Sequence, residues 1–169
     1  MQKTRPLIVV SSRTGNTRKL ARAIATAAPD ALMVDCSEMP ADLSAFNPVL
    51  LGFWCDRGMA PEDMKAAACR LSGKVIGCFA TMGGEPEKPE SQAWMQKTAQ
   101  ALTASGEGNT LAACFLSMGR VDPEVFRRVT EMVGGLTPER EARRLRAEKH
   151  PDETDCAEAV RCFRDAKLI

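Results

Sequence analysis

Residues 7–21 read Leu-Ile-Val-Val-Ser-Ser-Arg-Thr-Gly-Asn-Thr-Arg-Lys-Leu-Ala. An apolar, β-branched run (Leu7 to Val10) gives way to hydroxyls, one glycine and one asparagine. Leu20, Ala21, Ile24 and Ala28 then recur at helical spacing. A strand, a polar turn and a helix N-terminus make an anion cradle. The first helical turn leaves four backbone N–H groups without partners, and the peptide dipoles favour negative charge there. Ser12, Thr14, Asn16 and Thr17 are expected to add side-chain donors, and Gly15 to admit a positive φ or a close approach of the backbone. The expected ligand carries a phosphate.

The turn lacks the Gly-Lys-Ser/Thr ending of a nucleoside-triphosphate loop, and its single glycine does not make a Gly-x-Gly-x-x-Gly dinucleotide turn. Neutral donors without an obligatory cation suit one terminal monophosphate. Ser12, Arg13, Thr14, Gly15, Asn16 and Thr17 resemble the Ser/Thr-x-Thr-Gly-Asn-Thr phosphate loop of the flavodoxin family, in which that loop holds the phosphate of FMN. The plainer reading of the same residues is a polar turn that caps a helix.

Strand and helix signals alternate along the rest of the chain. Strands are expected at Ala31 to Cys36, Pro48 to Trp54, Lys74 to Thr81 and Thr110 to Ser117. Helices are expected at Pro61 to Leu71, Ser91 to Ala104 and in the segment beginning at Pro151. Five strands separated by helices imply an α/β fold with a parallel sheet wound on both faces. The resemblance implies the flavodoxin-like three-layer α/β/α sandwich with strand order 2-1-3-4-5. The expected organisation is one flavodoxin-like domain over 1–169, with a charged helical extension at about 122–150 before the last helix.

Ligands of such sheets bind beyond the carboxyl ends of the strands, where strand order reverses. That rule nominates the loop after strand one, the Trp54-Cys55-Asp56-Arg57-Gly58-Met59 loop after strand three, and Thr81-Met82-Gly83-Gly84-Glu85-Pro86 after strand four. Trp54 or Met59 suits the face of a flat π-system, or else Trp54 closes the core at the strand end. Asp56, Arg57 and Gly58 either contact such a ligand or form a solvated turn. Gly83 and Gly84 permit close backbone approach. The resemblance implies that N–H groups of this third loop, which includes Thr81 and Met82, bind the pyrimidine edge of the flavin. The family commonly stacks a tyrosine there, yet the chain has no tyrosine. Either Met82 substitutes or that ring face is open.

With 169 residues, 44% hydrophobic content and a net charge of +1, the chain has the makings of a sizeable core and no pull towards nucleic acid. No apolar stretch approaches the ~20 residues that span a bilayer. Met1 to Arg5 run straight into the first strand, which leaves no room for a signal peptide. Seven cysteines without a Cys-x-x-Cys pair fit a reduced, cytoplasmic protein. Cys114 and Arg120 have phosphatase spacing, but Cys114 falls within a strand. His150 is the only histidine and precedes a helix start, so metal binding is not expected. Arg140, Arg143, Arg144 and Arg146 belong to a solvated helix or form a docking patch for an acidic partner.

The leading expectation is an FMN-binding electron carrier that serves a protein redox partner. A self-contained FMN-dependent NAD(P)H oxidoreductase acting on a quinone-type acceptor is the alternative, and a flavin-free binding module is a third reading. Near-neutral charge predicts a less negative second reduction potential than that of acidic flavodoxins. No nucleic-acid or membrane partner is expected, and oligomeric state leaves no readable trace.

Overall fold

The structure is a computed structural model that describes residues 4–169. The expectation concerning Met1 to Arg5 therefore falls largely outside the described residues. Five parallel strands form one sheet: β1 (Arg5–Val10), β2 (Leu32–Asp35), β3 (Phe46–Trp54), β4 (Val75–Met82) and β5 (Thr110–Met118). Their order is β2-β1-β3-β4-β5, the flavodoxin-like order. Six α-helices complete the described chain: α1 (Asn16–Ala27), α2 (Glu62–Ala68), α3 (Pro89–Ser105), α4 (Pro123–Met132), α5 (Pro138–Ala147) and α6 (Glu153–Asp165).

Alternation along the strands sorts the core into two layers. Leu7 and Val9 of β1 and Val49, Leu51 and Phe53 of β3 face the layer that holds Met64 of α2 and Met95, Ala99 and Leu102 of α3. Ile8, Val10 and Leu50 face Leu20 and Ile24 of α1 and Ala159 and Phe163 of α6. Both faces of β1 and β3 are thereby buried, which explains their continuous apolar sequence. Gly52 serves packing here: a Cβ on it would lie 2.2 Å from the Phe79 ring. That ring meets Phe163 edge-on, with centroids 6.0 Å apart.

Element boundaries differ modestly from the sequence-based expectations. The helix expected over Pro61 to Leu71 stops at Ala68, because Arg70 and Leu71 donate to Ala67 and Ala68 and so tighten the chain into turns. Strand β2 ends at Asp35, and Cys36 starts a short 3₁₀ turn. Met82 belongs to β4, and Met118 to β5, since the two are paired in register. The charged segment before the last helix holds α4 and α5, which lie beyond the C-terminal end of β5.

Candidate functional site

Helix α1 begins unlike every other helix of the fold. Gly15 precedes it at φ 97° and has no side chain to cap the first turn, where Ser12 Oγ takes up only the Arg18 amide. Its first turn holds no acidic residue, whereas α2, α3, α4, α5 and α6 each carry at least one. Among the described residues, the backbone N–H groups of 13–17 find no acceptor in the protein. Five consecutive free donors at the positive end of a helix dipole form a site for an anion.

The side chains of the loop divide their duties differently from the sequence-based expectation. Thr17 is buried, and its hydroxyl shares a 2.9 Å hydrogen bond with the hydroxyl of Thr81. The Asn16 amide donates to the Arg120 carbonyl at 2.8 Å and fastens the loop to the segment after β5. Ser12 Oγ accepts from the Arg18 amide at 3.3 Å. Thr14 stays exposed with its hydroxyl uncommitted. The backbone therefore supplies most donors, and Thr17 and Asn16 hold the loop in place. Each of these two side chains, expected to add a donor to the anion site, has one hydrogen bond committed to the protein.

Ser12, Arg13, Thr14, Asn16, Thr17, Trp54, Asp56, Arg57, Gly58, Thr81, Met82, Gly83 and Gly84 line one cavity of about 1090 Å³. Of the residues nominated from the sequence, Gly15 and Met59 are not on its wall. The three nominated loops are joined at their bases: Ser11 donates to Gly52, Cys55 to Thr81 and Gly119 to Met82, at 2.8, 3.0 and 2.8 Å. The second loop is a two-residue turn in which Asp56 and Met59 exchange backbone bonds of 2.8 and 2.9 Å. Arg57 and Gly58 sit at φ 49° and 79°, the pair of positive angles that a type I′ turn requires. Arg57 reaches back to Asp56 at 3.3 Å while 90% exposed, so the two are paired on the cavity wall. Met59 is exposed and lies off the cavity wall.

Trp54 stands at the end of β3, half-buried, with the Arg13 guanidinium 5.7 Å from its ring centroid. Both side chains separate the main cavity from a smaller one of about 620 Å³. The smaller cavity holds the Asp35 and Asp63 carboxylates. Asp63 accepts from the Ser11 hydroxyl, and Asp35 pairs with Arg18 at 2.6 Å. Arg13, Arg18 and Arg70 line that smaller cavity too, and it is the large cavity that takes in Thr14, Asn16 and Thr17 and so the main face of the loop.

Several contributors were absent from the sequence reading. Trp94 of α3 donates from Nε1 to the Gly58 carbonyl at 2.9 Å and packs edge-on against Phe53, which steadies the second loop. Gly119 admits the Asn16 side chain; a Cβ there would lie 2.8 Å from Asn16 Nδ2. Helices α4 and α5 form an outer wall with Val125, Phe126, Val129, Met132 and Val133. Seven arginines (13, 57, 120, 128, 140, 143 and 144) line the cavity against two aspartates, Asp56 and Asp122. The arginine cluster read from the sequence is partly consumed within the fold. Arg144 binds Glu141 and Glu148, Arg146 binds Glu87 at 2.6 Å, and Arg140 donates to the Gly135 carbonyl.

Two other motifs resolve structurally. Burial and the neighbouring Cys162 push the Cys114 thiol up to about 11, the opposite of a phosphatase nucleophile. His150 Nδ1 lies 2.6 Å from Asp155, and Asp155 and Asp152 form the capping box of α6. No helix among the described residues is long and apolar enough to cross a membrane.

The fold and this loop define a doubly wound α/β protein that presents an anion-binding helix N-terminus at its strand-order switch point. The chain belongs to the flavodoxin domain family, whose model matches residues 7–164. It is 26% identical over 163 residues to the flavodoxin-like domain-containing protein BilS of Clostridioides difficile (strain CD3), a match covering 90% of each chain. Oxidised flavodoxin 1 from Bacillus cereus aligns with 97% of both chains at a TM-score of 0.58 and 15% identity. A flavoprotein in complex with FMN from Lactobacillus acidophilus NCFM aligns at a TM-score of 0.54 and 12% identity, over 67% of this chain and 93% of that one. At such identities the two structures speak to the fold alone.

Proposed function

We propose that this protein binds FMN and passes electrons to or from a partner oxidoreductase. The observation that carries the reading is the acid-free start of α1, with the amides of 13–17 free of protein acceptors where Arg13, Thr14, Asn16 and Thr17 line the cavity. That donor set fits a phosphate monoester, and the family assignment makes FMN the group to expect. When bound, FMN supplies one- and two-electron redox chemistry. The protein's residues do the rest. The loop amides would hold the phosphate, and Gly15 sets the angle at which they point. Trp54 and Met82 would border the ring system, while Gly83 and Gly84 leave backbone N–H groups accessible to a planar edge. The cationic lining favours added negative charge in the cavity, which supports a second reduction potential less negative than that of acidic flavodoxins.

A partner protein is favoured over self-contained turnover because no residue set in the cavity is recognisable as a nicotinamide site. The alternative, direct use of NAD(P)H with a quinone-type acceptor, draws support from the α4–α5 wall, which leaves room beside a cofactor. Absorbance titration with FMN tests the first claim: flavin bands that shift on binding are expected at micromolar protein. Absence of binding would overturn the redox reading. Steady oxidation of NADPH by the purified FMN-loaded protein, without a partner, would overturn the carrier reading in favour of the enzyme.

A further inference from the structure

With the cofactor's phosphate on the 12–17 loop, as proposed above, the α4–α5 side of the cavity is left for another molecule. We propose that this side is a second ligand site, and that it takes an organic anion with an apolar body. Size is the first observation. The cavity of about 1090 Å³ lies at the upper end of the roughly 300–1,000 Å³ typical of ligand pockets, and it runs from the 12–17 loop to α4 and α5. Charge is the second. Arg128 and Arg143 line it, and among the described residues neither has a carboxylate within salt-bridge distance, while Arg140 beside them is held by the Gly135 carbonyl. A phosphate on the 12–17 loop would meet the free amides of 13–17 there, so these two guanidiniums exceed its needs.

Apolar exposure is the third observation. Val129, Met132 and Val133 are 51%, 84% and 50% exposed, yet they sit at one-face helical spacing on the cavity wall. Water-exposed apolar groups beside unpaired guanidiniums match a ligand that has both characters. Helix α4, about 15 Å long by its rise per residue, carries this surface away from Asp122 at its start.

The test is calorimetric titration of the FMN-saturated protein with 1-anilinonaphthalene-8-sulfonate and with its uncharged analogue N-phenyl-1-naphthylamine. The anion is expected to bind about tenfold tighter than the neutral probe, a preference of about 1.4 kcal/mol. An Arg128→Glu/Arg143→Glu double variant is expected to erase that preference and to leave the Kd for FMN within about twofold. If the double variant fails to melt cooperatively, Arg128→Gln and Arg143→Gln singly take its place. Equal binding of the two probes would overturn the proposal, as would competition between the anion and FMN. Weakened FMN binding in the double variant would assign the wall to the cofactor instead. A dimer that Met132→Asp dissociates while anion binding persists unchanged would assign the apolar face to a second copy. Failure of the wild-type protein to bind FMN would sink the cofactor reading only, because the probe preference and its loss are read equally on cofactor-free protein.

Discussion

The hydroxyls of Thr17 and Thr81 meet 2.9 Å apart inside the protein, which ties the first turn of α1 to the end of β4. Thr17→Val keeps the volume and removes one partner, leaving the Thr81 hydroxyl buried and unsatisfied. The expected loss of stability is about 1–3 kcal/mol, read as a lower urea midpoint. Adding Thr81→Val should recover part of it, since two apolar partners leave nothing unpaired. FMN affinity of Thr17→Val is expected to fall by no more than about threefold. A loss of tenfold or more in a folded protein would restore Thr17 to the phosphate-binding set.

Gly15 is the pivot of the phosphate loop. Its φ of 97° lies in the region that L-residues avoid, yet a Cβ there would touch nothing. Any effect of Gly15→Ala is thus a backbone effect, with a cost of about 1–2 kcal/mol. Relief of that strain would swing the amides of 13–17 away from a common focus. The expected outcome is a Kd for FMN at least about tenfold weaker, with a melting temperature lowered only by a few degrees. Fluorescence titration of FMN and a thermal melt separate the two effects.

The sheet and its loop were legible because their signals are local. An apolar run, a glycine-bearing turn and a helical stripe fit within residues 7–28, and each later strand carries its own apolar run. The supporting contacts are long-range and have no local signature. Asn16 meets the Arg120 carbonyl across a sequence separation of 104, and Trp94 meets Gly58 across 36. Composition also misleads about the arginines of α5. Arg143 and Arg146 look alike in sequence, but only the fold shows that Arg146 faces Glu87. The role of α4 as a cavity wall depends on where the chain turns after β5, which periodicity does not encode.

Burial raises six of the thiols of this protein (Cys36, Cys55, Cys78, Cys114, Cys156 and Cys162), with consequences at alkaline pH. Cys36 is pushed up to about 12 by burial and by the nearby Asp63 and Asp35 carboxylates, and Cys114 to about 11. An acid whose folded pKa exceeds its unfolded value stabilises the fold fully below the unfolded pKa, near 9, and loses that contribution as pH rises towards the folded pKa. Stability is therefore expected to decline from about pH 9 upward through these thiols. Cys36→Ala should flatten the decline between pH 9 and 11 in urea midpoints. An unchanged slope would mean that Cys36 ionises freely in the folded state. At pH 8, alkylation should modify exposed Cys69 well before buried Cys78.

Trp54 and Trp94 are the two tryptophans, and only Trp54 is on the cavity wall. Trp94→Phe removes the 2.9 Å bond to Gly58 but keeps an aromatic ring against Phe53, at a cost of about 0.5–1.5 kcal/mol. In that variant all tryptophan emission comes from Trp54. Loading with FMN is expected to quench more than half of it, since a flavin bordering the indole is an efficient energy acceptor. The quenching curve should give the same Kd as the absorbance titration. Faster hydrogen exchange at residues 56–59 is expected alongside, because the turn loses its anchor to α3. Emission that survives saturation by FMN would mean that the flavin does not bind beside Trp54.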